Sequence, residues 1–245
     1  MNLHIILIIA AIVILLLIKY WNFFLFVMGL QALKKGQYEK AVKYIKTASQ
    51  SGMKAKHKLT CGYVLLTRGL IEEADTILKP LLGTGEKRFS HKEARIYYSL
   101  LQWQKGELNS AVEALENLMK EGYITTILYT NLGFYLIEQG ELQKALELNL
   151  EAHEYNDSSK GIMDNLGLNY IKLGEWEKAV PLYEKLMKTE PTFPEAYFHS
   201  AQVLSQQGKQ KEALETLTKG LQQRFTCIST VQKDSFMALK QVLEA

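Results

Sequence analysis

Two segments, GELQKA at 140–145 and GEWEKA at 174–179, each place an alanine five residues after a glycine. The same spacing occurs in GQYEKA at 36–41, GLIEEA at 69–74, GELNSA at 106–111 and GKQKEA at 208–213. The last four of these glycines are 34 residues apart, and the two earlier steps are 33 and 37. A fixed period of this size is typical of a solenoid built from stacked supersecondary units. Such arrays bind other molecules far more often than they catalyse.

Apolar side chains recur three and four residues apart on both sides of each glycine, which predicts two helices joined by a short turn. In the fifth copy, Leu166 and Tyr170 lie before the turn, Tyr183 lies after it, and Pro191 closes the second helix. Gly174 stands where the first helix ends and a positive φ is needed. Each copy is therefore predicted to be a pair of helices.

The order Leu-Gly-x-x-Tyr at 166–170, followed by glycine, alanine, tyrosine and proline at these offsets, resembles the tetratricopeptide repeat, a helix-turn-helix unit of 34 residues. The resemblance implies an all-α superhelix of about six repeats, at 22–54, 55–91, 92–125, 126–159, 160–193 and 194–227. Small residues fit the close crossing of the two helices in each unit: Gly29, Gly62, Ser99, Gly133, Gly167 and Ala201.

Units two and three are the irregular ones. Pro80 falls inside the predicted second helix of unit two, and residues 83–87 account for the longer step. This glycine-containing loop is interpreted as an insertion rather than a phosphate cradle, because no GK[ST] follows it. Residues 228–245 are predicted to form a C-terminal capping helix that covers the last repeat. A partner-binding helix is the alternative for this segment.

A run of apolar residues begins at Ile5 and ends at Ile18 without one polar side chain. At 1.5 Å per residue it nearly crosses a bilayer core of about 30 Å, and Tyr20 and Trp21 follow where interfacial aromatics belong. Residues 1–21 are therefore predicted to be a transmembrane anchor. A cleaved signal peptide is disfavoured, because the chain has neither the basic start nor the small-residue cleavage site that such peptides need. A buried core helix is also disfavoured, because this apolar run would leave it no face for solvent.

The charge distribution favours one orientation of that anchor. Between Lys19 and Lys58 the chain has nine lysines and a single glutamate, although the whole protein has a net charge of only +3. Positive charge beside a span keeps that end in the cytoplasm, so the repeats are expected to face the cytosol, with a short N-terminus outside. Anionic lipid is the expected counter-surface for this basic stretch. Nucleic acid is not expected, because the charge is not interleaved with exposed aromatics.

Candidate residues for chemistry are sparse. Cys61 and Cys227 form neither a CxxC pair nor a disulfide framework, and are interpreted as two small, buried thiols in a reducing compartment. The five histidines show no HExxH spacing, and no Ser-His-Asp or GxSxG context occurs. The sequence therefore predicts no metal, no cofactor and no catalytic site.

The family resemblance implies that the first helices of successive units line a concave groove and that their inward positions contact a protein or peptide. Asn131 and Asn165 occupy equivalent places one repeat apart, where an amide can both donate to and accept from a peptide backbone. The predicted groove residues are Tyr63, Tyr97, Thr130, Asn131, Phe134, Asp164, Asn165, Phe198, His199 and Gln202. The alternative is that some of these residues pack in the core and that the asparagines are solvated.

The leading hypothesis is therefore a membrane-tethered scaffold or adaptor that binds a protein or peptide in this groove. The second hypothesis is a structural module that forms homo-oligomers at the membrane. An enzyme assembled from distant residues is the third, and no constellation of residues argues for it.

Overall fold

The computed structural model describes residues 3–50 and 52–244, without the side chains of residues 3, 4, 8, 10, 11, 13, 17 and 18. This part of the chain is all-α, as predicted, and has the architecture of an α-solenoid of tetratricopeptide-like repeats. Its α-helices are α1 (Leu3–Lys34), α2 (Tyr38–Ser49), α3 (Ala55–Leu66), α4 (Ile71–Leu78), α5 (His91–Gln104), α6 (Leu108–Lys120), α7 (Thr126–Glu138), α8 (Leu142–Tyr155), α9 (Lys160–Lys172), α10 (Trp176–Met187), α11 (Pro194–Gln206), α12 (Gln210–Leu221) and α13 (Lys233–Glu244).

The turns between paired helices follow from the repeated glycines. Gly140 and Gly174 have φ of 80° and 77°, in the left-handed region that favours glycine. In each case the next residue's backbone N–H donates to the carbonyl oxygen five positions back, from Glu141 to Leu136 and from Glu175 to Tyr170. These bonds close the first helix and start the second within a few residues.

The chain forms two compact units, Met1–Leu101 and Gln102–Ala245. In the first unit, Gly29 of α1 lies against Ile45 of α2, and Gly62 of α3 lies against Leu78 of α4. Pro80 ends α4 early, and a 3-10 helix, Lys79–Gly83, continues the chain from there. A proline cannot supply the backbone N–H that an α-helix interior requires, so the helix tightens at this point.

In the second unit, Gly133 of α7 lies against Asn149 of α8, and Gly167 of α9 lies against Tyr183 of α10. The pair α11 and α12 is followed by α13, whose Phe236 is fully buried with Leu217 and Tyr197. The side-chain amide of Gln210 also donates to the backbone carbonyl of Leu243, at 3.2 Å. Helix α13 thus packs on the last pair of helices.

Helix α1 has two different halves. Its buried side chains are Leu25, Phe26 and Ala32, which face the core of the first unit, whereas every side chain described between Ile5 and Trp21 is exposed. Among the described residues, no helix is both long enough and apolar enough to cross a membrane. The predicted transmembrane anchor at 1–21 is therefore not supported. Residues 1 and 2 of that predicted span, and the side chains of residues 3, 4, 8, 10, 11, 13, 17 and 18, lie outside the described part of the chain.

Candidate functional site

The predicted groove residues of the second unit lie on α7, α9 and α11, one helix from each successive pair. Glycines allow a close approach in the first two of these helices, because Gly133 of α7 and Gly167 of α9 have no side chain where the second helix of their own pair crosses. The opposite side of each helix therefore points away from its partner. The structure links the predicted residues in pairs between neighbouring helices.

One such pair joins Asn165 of α9 to Thr130 of α7. The side-chain amide of Asn165 donates to the backbone carbonyl oxygen of Thr130, at 2.6 Å. Asn165 is buried, whereas Asn131 is only half-buried. The two asparagines thus differ, although their positions in the repeat are equivalent: the amide nitrogen of Asn165 already has an acceptor within the protein.

A second pair joins Asp164 of α9 to His199 of α11. Both side chains are almost completely buried, at 6% and 4% exposure, and His199 Nδ1 lies 3.0 Å from Asp164 Oδ1. The hydroxyl of Tyr183 donates to the same carboxylate oxygen at 3.1 Å. Burial, followed by the charge of Asp164 and its hydrogen bond, raises the pKa of the Tyr183 phenol well above its usual range. The phenol therefore stays a hydrogen-bond donor to Asp164.

Glu195 extends this buried polar cluster toward the segment before α13. Its Oε1 accepts a hydrogen bond from the backbone N–H of Thr230, at 2.7 Å. Burial raises the pKa of Glu195, and the nearby Asp164 acts in the same direction. The cluster thus connects α9, α10 and α11 with the connection that leads to the last helix.

The remaining predicted residues of this unit are half-buried aromatic or amide side chains: Phe134 on α7, Phe198 and Gln202 on α11. Phe134 packs edge-on against Trp103, with ring centroids 5.5 Å apart, and Phe198 packs edge-on against His199 at 5.8 Å. In the first unit, Tyr63 and Tyr97 are also half-buried and form an edge-on pair at 5.3 Å. These contacts hold the rings in fixed orientations and leave part of each accessible.

The sequence patterns did not single out one pair of buried side-chain amides. Asn149 and Asn169 are both fully buried, and the Asn149 amide donates to Asn169 Oδ1 at 3.2 Å. The Asn169 amide in turn donates to the carbonyl of Leu142 at 3.0 Å. A signal was present in the sequence, because the equivalent positions of the other units are all apolar or aromatic: Ile45, Leu78, Leu115, Tyr183 and Leu217. A single amide at a core position of a repeat predicts a polar partner in the core.

Two open clefts are bordered by residues of α10 and α11, and the first of them is also bordered by residues of α12. One has a volume of about 630 Å³ and is bordered by Tyr183, Met187 and Tyr197 among others. The other, of about 680 Å³, is bordered by Trp176 and Gln206. Val180, Val203 and Gln207 border both clefts. These surfaces contain neither of the predicted asparagines.

The described residues contain no group of three or more histidine, cysteine, aspartate or glutamate side chains placed to hold a metal ion. Of the two cysteines that were expected to be buried, Cys61 is buried and Cys227 is exposed. Burial raises the pKa of the Cys61 thiol to about 12. A thiol with so high a pKa is a poor nucleophile and a poor metal ligand at neutral pH.

Comparison with known proteins supports the assignment of the fold to tetratricopeptide-like repeats. Residues 170–233 match the family model of the tetratricopeptide repeat. The fold is similar to that of a tetratricopeptide repeat protein from Parabacteroides merdae, with a TM-score of 0.73 at 13% identity, over 92% of this chain and 85% of that one. The tetratricopeptide protein TTC0263 of Thermus thermophilus gives a TM-score of 0.62 at 21% identity, over 78% of this chain and 99% of that one.

A third similar structure is MamA, residues 41 to the end, from Desulfovibrio magneticus, with a TM-score of 0.52 at 18% identity, over 69% of this chain and 94% of that one. At these identities the likeness concerns the fold. No curated protein sequence matches this chain. The class is therefore an α-solenoid of tetratricopeptide-like repeats, a fold that generally mediates contacts between proteins and that is typically a non-catalytic scaffold.

Proposed function

We propose that this protein is a protein-binding scaffold that holds an extended protein or peptide segment on the α7, α9 and α11 side of its second unit. The observation that carries the proposal is that the predicted residues fall into two groups, one buried between the helices and one partly exposed. Asp164, Asn165 and His199 are buried and bonded to neighbouring helices, whereas Asn131 and Phe198 keep part of their side chains exposed.

The half-buried side chains have the chemistry that an extended peptide needs. Asn131 and Gln202 each offer an amide donor and an acceptor for backbone groups. Phe134 and Phe198 offer aromatic rings for apolar side chains, and their orientation is fixed by neighbouring rings. Because less side-chain freedom is lost when such rings bind, a preformed surface of this kind favours affinity. Tyr63 and Tyr97 form a separate candidate contact on the first unit.

Site-specific photo-crosslinking in the full-length protein tests the proposal. A photoreactive phenylalanine analogue replaces Phe134, Phe198 or Gln202 in turn, and Glu147, an exposed residue of α8, is the control position. The scaffold proposal predicts that one partner is attached at all three test positions and not at Glu147. Attachment that is equally strong at Glu147 would contradict it.

The same experiment separates the alternatives. If the attached protein is a second copy of this chain and the protein dimerises with concentration, the self-association hypothesis replaces the adaptor hypothesis. If no protein is attached at any position, although the protein is folded in its native setting, the peptide-binding proposal fails.

We also propose that α1 associates with a membrane and that the repeats face the cytoplasm. The support is chemical: Ile5, Ile9 and Leu15 are exposed apolar side chains on α1, and an excess of lysine follows them. An exposed apolar stretch of this length is unusual on a protein surrounded by water alone. Lysine beside such a stretch favours an anionic cytoplasmic leaflet.

Flotation with lipid vesicles tests the association, and alkaline extraction then distinguishes a helix that crosses the bilayer from one that lies on its surface. A full-length protein that stays at the bottom of the gradient would contradict this part of the proposal. A reporter fused after residue 245 that is active only outside the cytoplasm would contradict the orientation.

A further inference from the structure

The start of α3 lies beside α1 where the packed half of α1 begins. The ring of His57 is 5.2 Å from that of Phe23 and 5.1 Å from that of Phe26, measured between centroids. Phe26 is buried, whereas Phe23 is 46% exposed. The first turn of α3 therefore packs beside the part of α1 where exposed side chains give way to buried ones.

Two exposed lysines, Lys54 and Lys56, lie just before His57 in the chain. Their proximity is reflected in the pKa of His57, which is lowered first by burial and then by the charges of these two lysines. Glu86 acts in the opposite direction on this pKa, and its Oε2 accepts a hydrogen bond from the backbone N–H of Ala55 at 2.8 Å. Two ammonium groups and one engaged carboxylate thus leave this corner of the first unit positive.

The neighbouring part of α1 adds aromatic side chains to this positive corner. Tyr20, Trp21 and Phe24 are each more than half exposed. Lys19 Nζ lies 5.5 Å from the centroid of the Tyr20 ring. Tyrosine, tryptophan and lysine side chains are those that occupy the headgroup level of a bilayer.

Other exposed lysines of the basic stretch lie elsewhere. Lys34 and Lys35 are at the C-terminal end of α1, eleven residues beyond Phe23, which is about 16 Å along a helix. This distance is about twice the Debye length at physiological salt, about 8 Å, so their attraction to charges near Phe23 is largely screened. The stretch from Lys19 to Lys58 is therefore not one uniform patch.

We propose that Lys19, Lys54 and Lys56 form a contact site for the headgroups of anionic phospholipids, at the level of Tyr20 and Trp21. The inference rests on the proposed membrane association of α1 and specifies which lysines meet the lipid. The apolar side chains before Tyr20 face the acyl chains, and the three ammonium groups face the phosphates. An acidic protein would match the ammonium groups but would leave the exposed apolar side chains of α1 in water.

The test uses the full-length protein reconstituted into vesicles that contain phosphatidylcholine and phosphatidylglycerol. Flotation first reports whether the protein associates with the vesicles at all. Spin-labelled phosphatidylglycerol and spin-labelled phosphatidylcholine then report the ratio of the two lipids that the protein restrains. The test variant is K54E/K56E, and K34E/K35E is the control with the same change of charge.

We expect the wild-type protein to restrain phosphatidylglycerol in preference to phosphatidylcholine, and 1 M salt to reduce this preference. A lysine near an anionic surface changes lipid affinity on the order of five-fold, so K54E/K56E is expected to bring the ratio to about one or lower. Glutamate is favourable in the first turn of a helix, so the variant is expected to keep α3 folded, which circular dichroism checks.

The outcomes separate this inference from the proposal on which it rests. If the protein does not float with vesicles, the membrane association itself is wrong, and this inference is overturned with it. If the protein floats but K54E/K56E keeps the wild-type ratio, only the lipid site is wrong. An equal loss in K34E/K35E would also overturn the site, since it would show a general effect of charge.

Discussion

His199 Nδ1 lies 3.0 Å from Asp164 Oδ1, and the two residues are 35 positions apart, on the first helices of consecutive repeats. Tyr183, on the helix between them in the chain, donates to the same carboxylate oxygen. One buried carboxylate thus connects three helices. The neighbouring core side chains Met163, Leu186 and Val203 are apolar, so this cluster adds directional hydrogen bonds to an otherwise non-directional contact.

Replacing Asp164 by alanine is expected to destabilise the protein by about 1–3 kcal/mol, because the buried Nδ1 of His199 loses its partner. Urea unfolding followed by circular dichroism measures the change. The control is Asp157→Ala, which removes an exposed carboxylate paired with Lys185 and is expected to cost much less. Equal losses in the two variants would contradict the prediction, because the buried cluster would then add no more stability than an exposed ion pair.

Replacing Gly167 by alanine is expected to destabilise the protein by about 1–3 kcal/mol through overpacking. A Cβ at this position would lie 2.6 Å from Cε2 of Tyr183, whose ring is fully buried. Gly83→Ala is the matched control, because a Cβ there would meet no atom within 4 Å. The thermal midpoints of the two variants measure the difference, and similar midpoints would contradict the close packing of α9 on α10.

The raised pKa of Glu195 predicts that its contribution to the stability of the folded protein decreases as the pH rises. Its pKa in the folded protein is raised from 4.5 by burial, so the folded state binds the proton more tightly than the unfolded state. This contribution to stability is fully present below pH 4.5 and is lost as the pH rises through the raised pKa.

Glu195→Gln keeps an acceptor for the Thr230 N–H and removes the titration. We therefore expect the variant to gain stability relative to wild type as the pH is raised from 4 to 7. Urea midpoints at both pH values measure this gain. A difference between the two proteins that does not change with pH would show that Glu195 titrates alike in the folded and unfolded chain.

The amide pair of Asn149 and Asn169 is expected to show coupling in a double-mutant cycle. Each alanine substitution alone should cost about 1–3 kcal/mol, because the remaining amide keeps a buried polar group without its partner. The double variant should cost about 1 kcal/mol less than the sum of the two. Strict additivity would mean that the hydrogen bond contributes nothing beyond packing.

The sequence predicted the helix pairs well because their determinants are local. A glycine with positive φ ends each first helix, and a small residue at the crossing precedes its contact by sixteen positions, as for Gly133 with Asn149 and Gly167 with Tyr183. Both features depend on residues within one repeat. The repeat boundaries that were derived from this period stay a prediction.

The candidate site was harder to predict, because its character depends on neighbouring repeats. Asn131 and Asn165 occupy equivalent positions in their repeats, but they differ in burial and in the hydrogen bond that Asn165 donates to Thr130. The contact of Asp164 with His199 likewise requires two helices that are not adjacent in the chain. The period of the sequence predicts the helices within each repeat, whereas the burial and hydrogen bonds between neighbouring repeats are visible only in the packed structure.

The buried amide pair also bears on how this array can evolve. Asn149 lies in α8 and its partner Asn169 in α9, so each repeat carries half of a bond that only its neighbour completes. A copy of the fourth repeat placed before another of units two to six would meet an aliphatic residue or a tyrosine in place of Asn169, and its Asn149 would be buried without this amide partner. Repeats with purely apolar junctions can be duplicated or exchanged, whereas this pair fixes the order of the fourth and fifth.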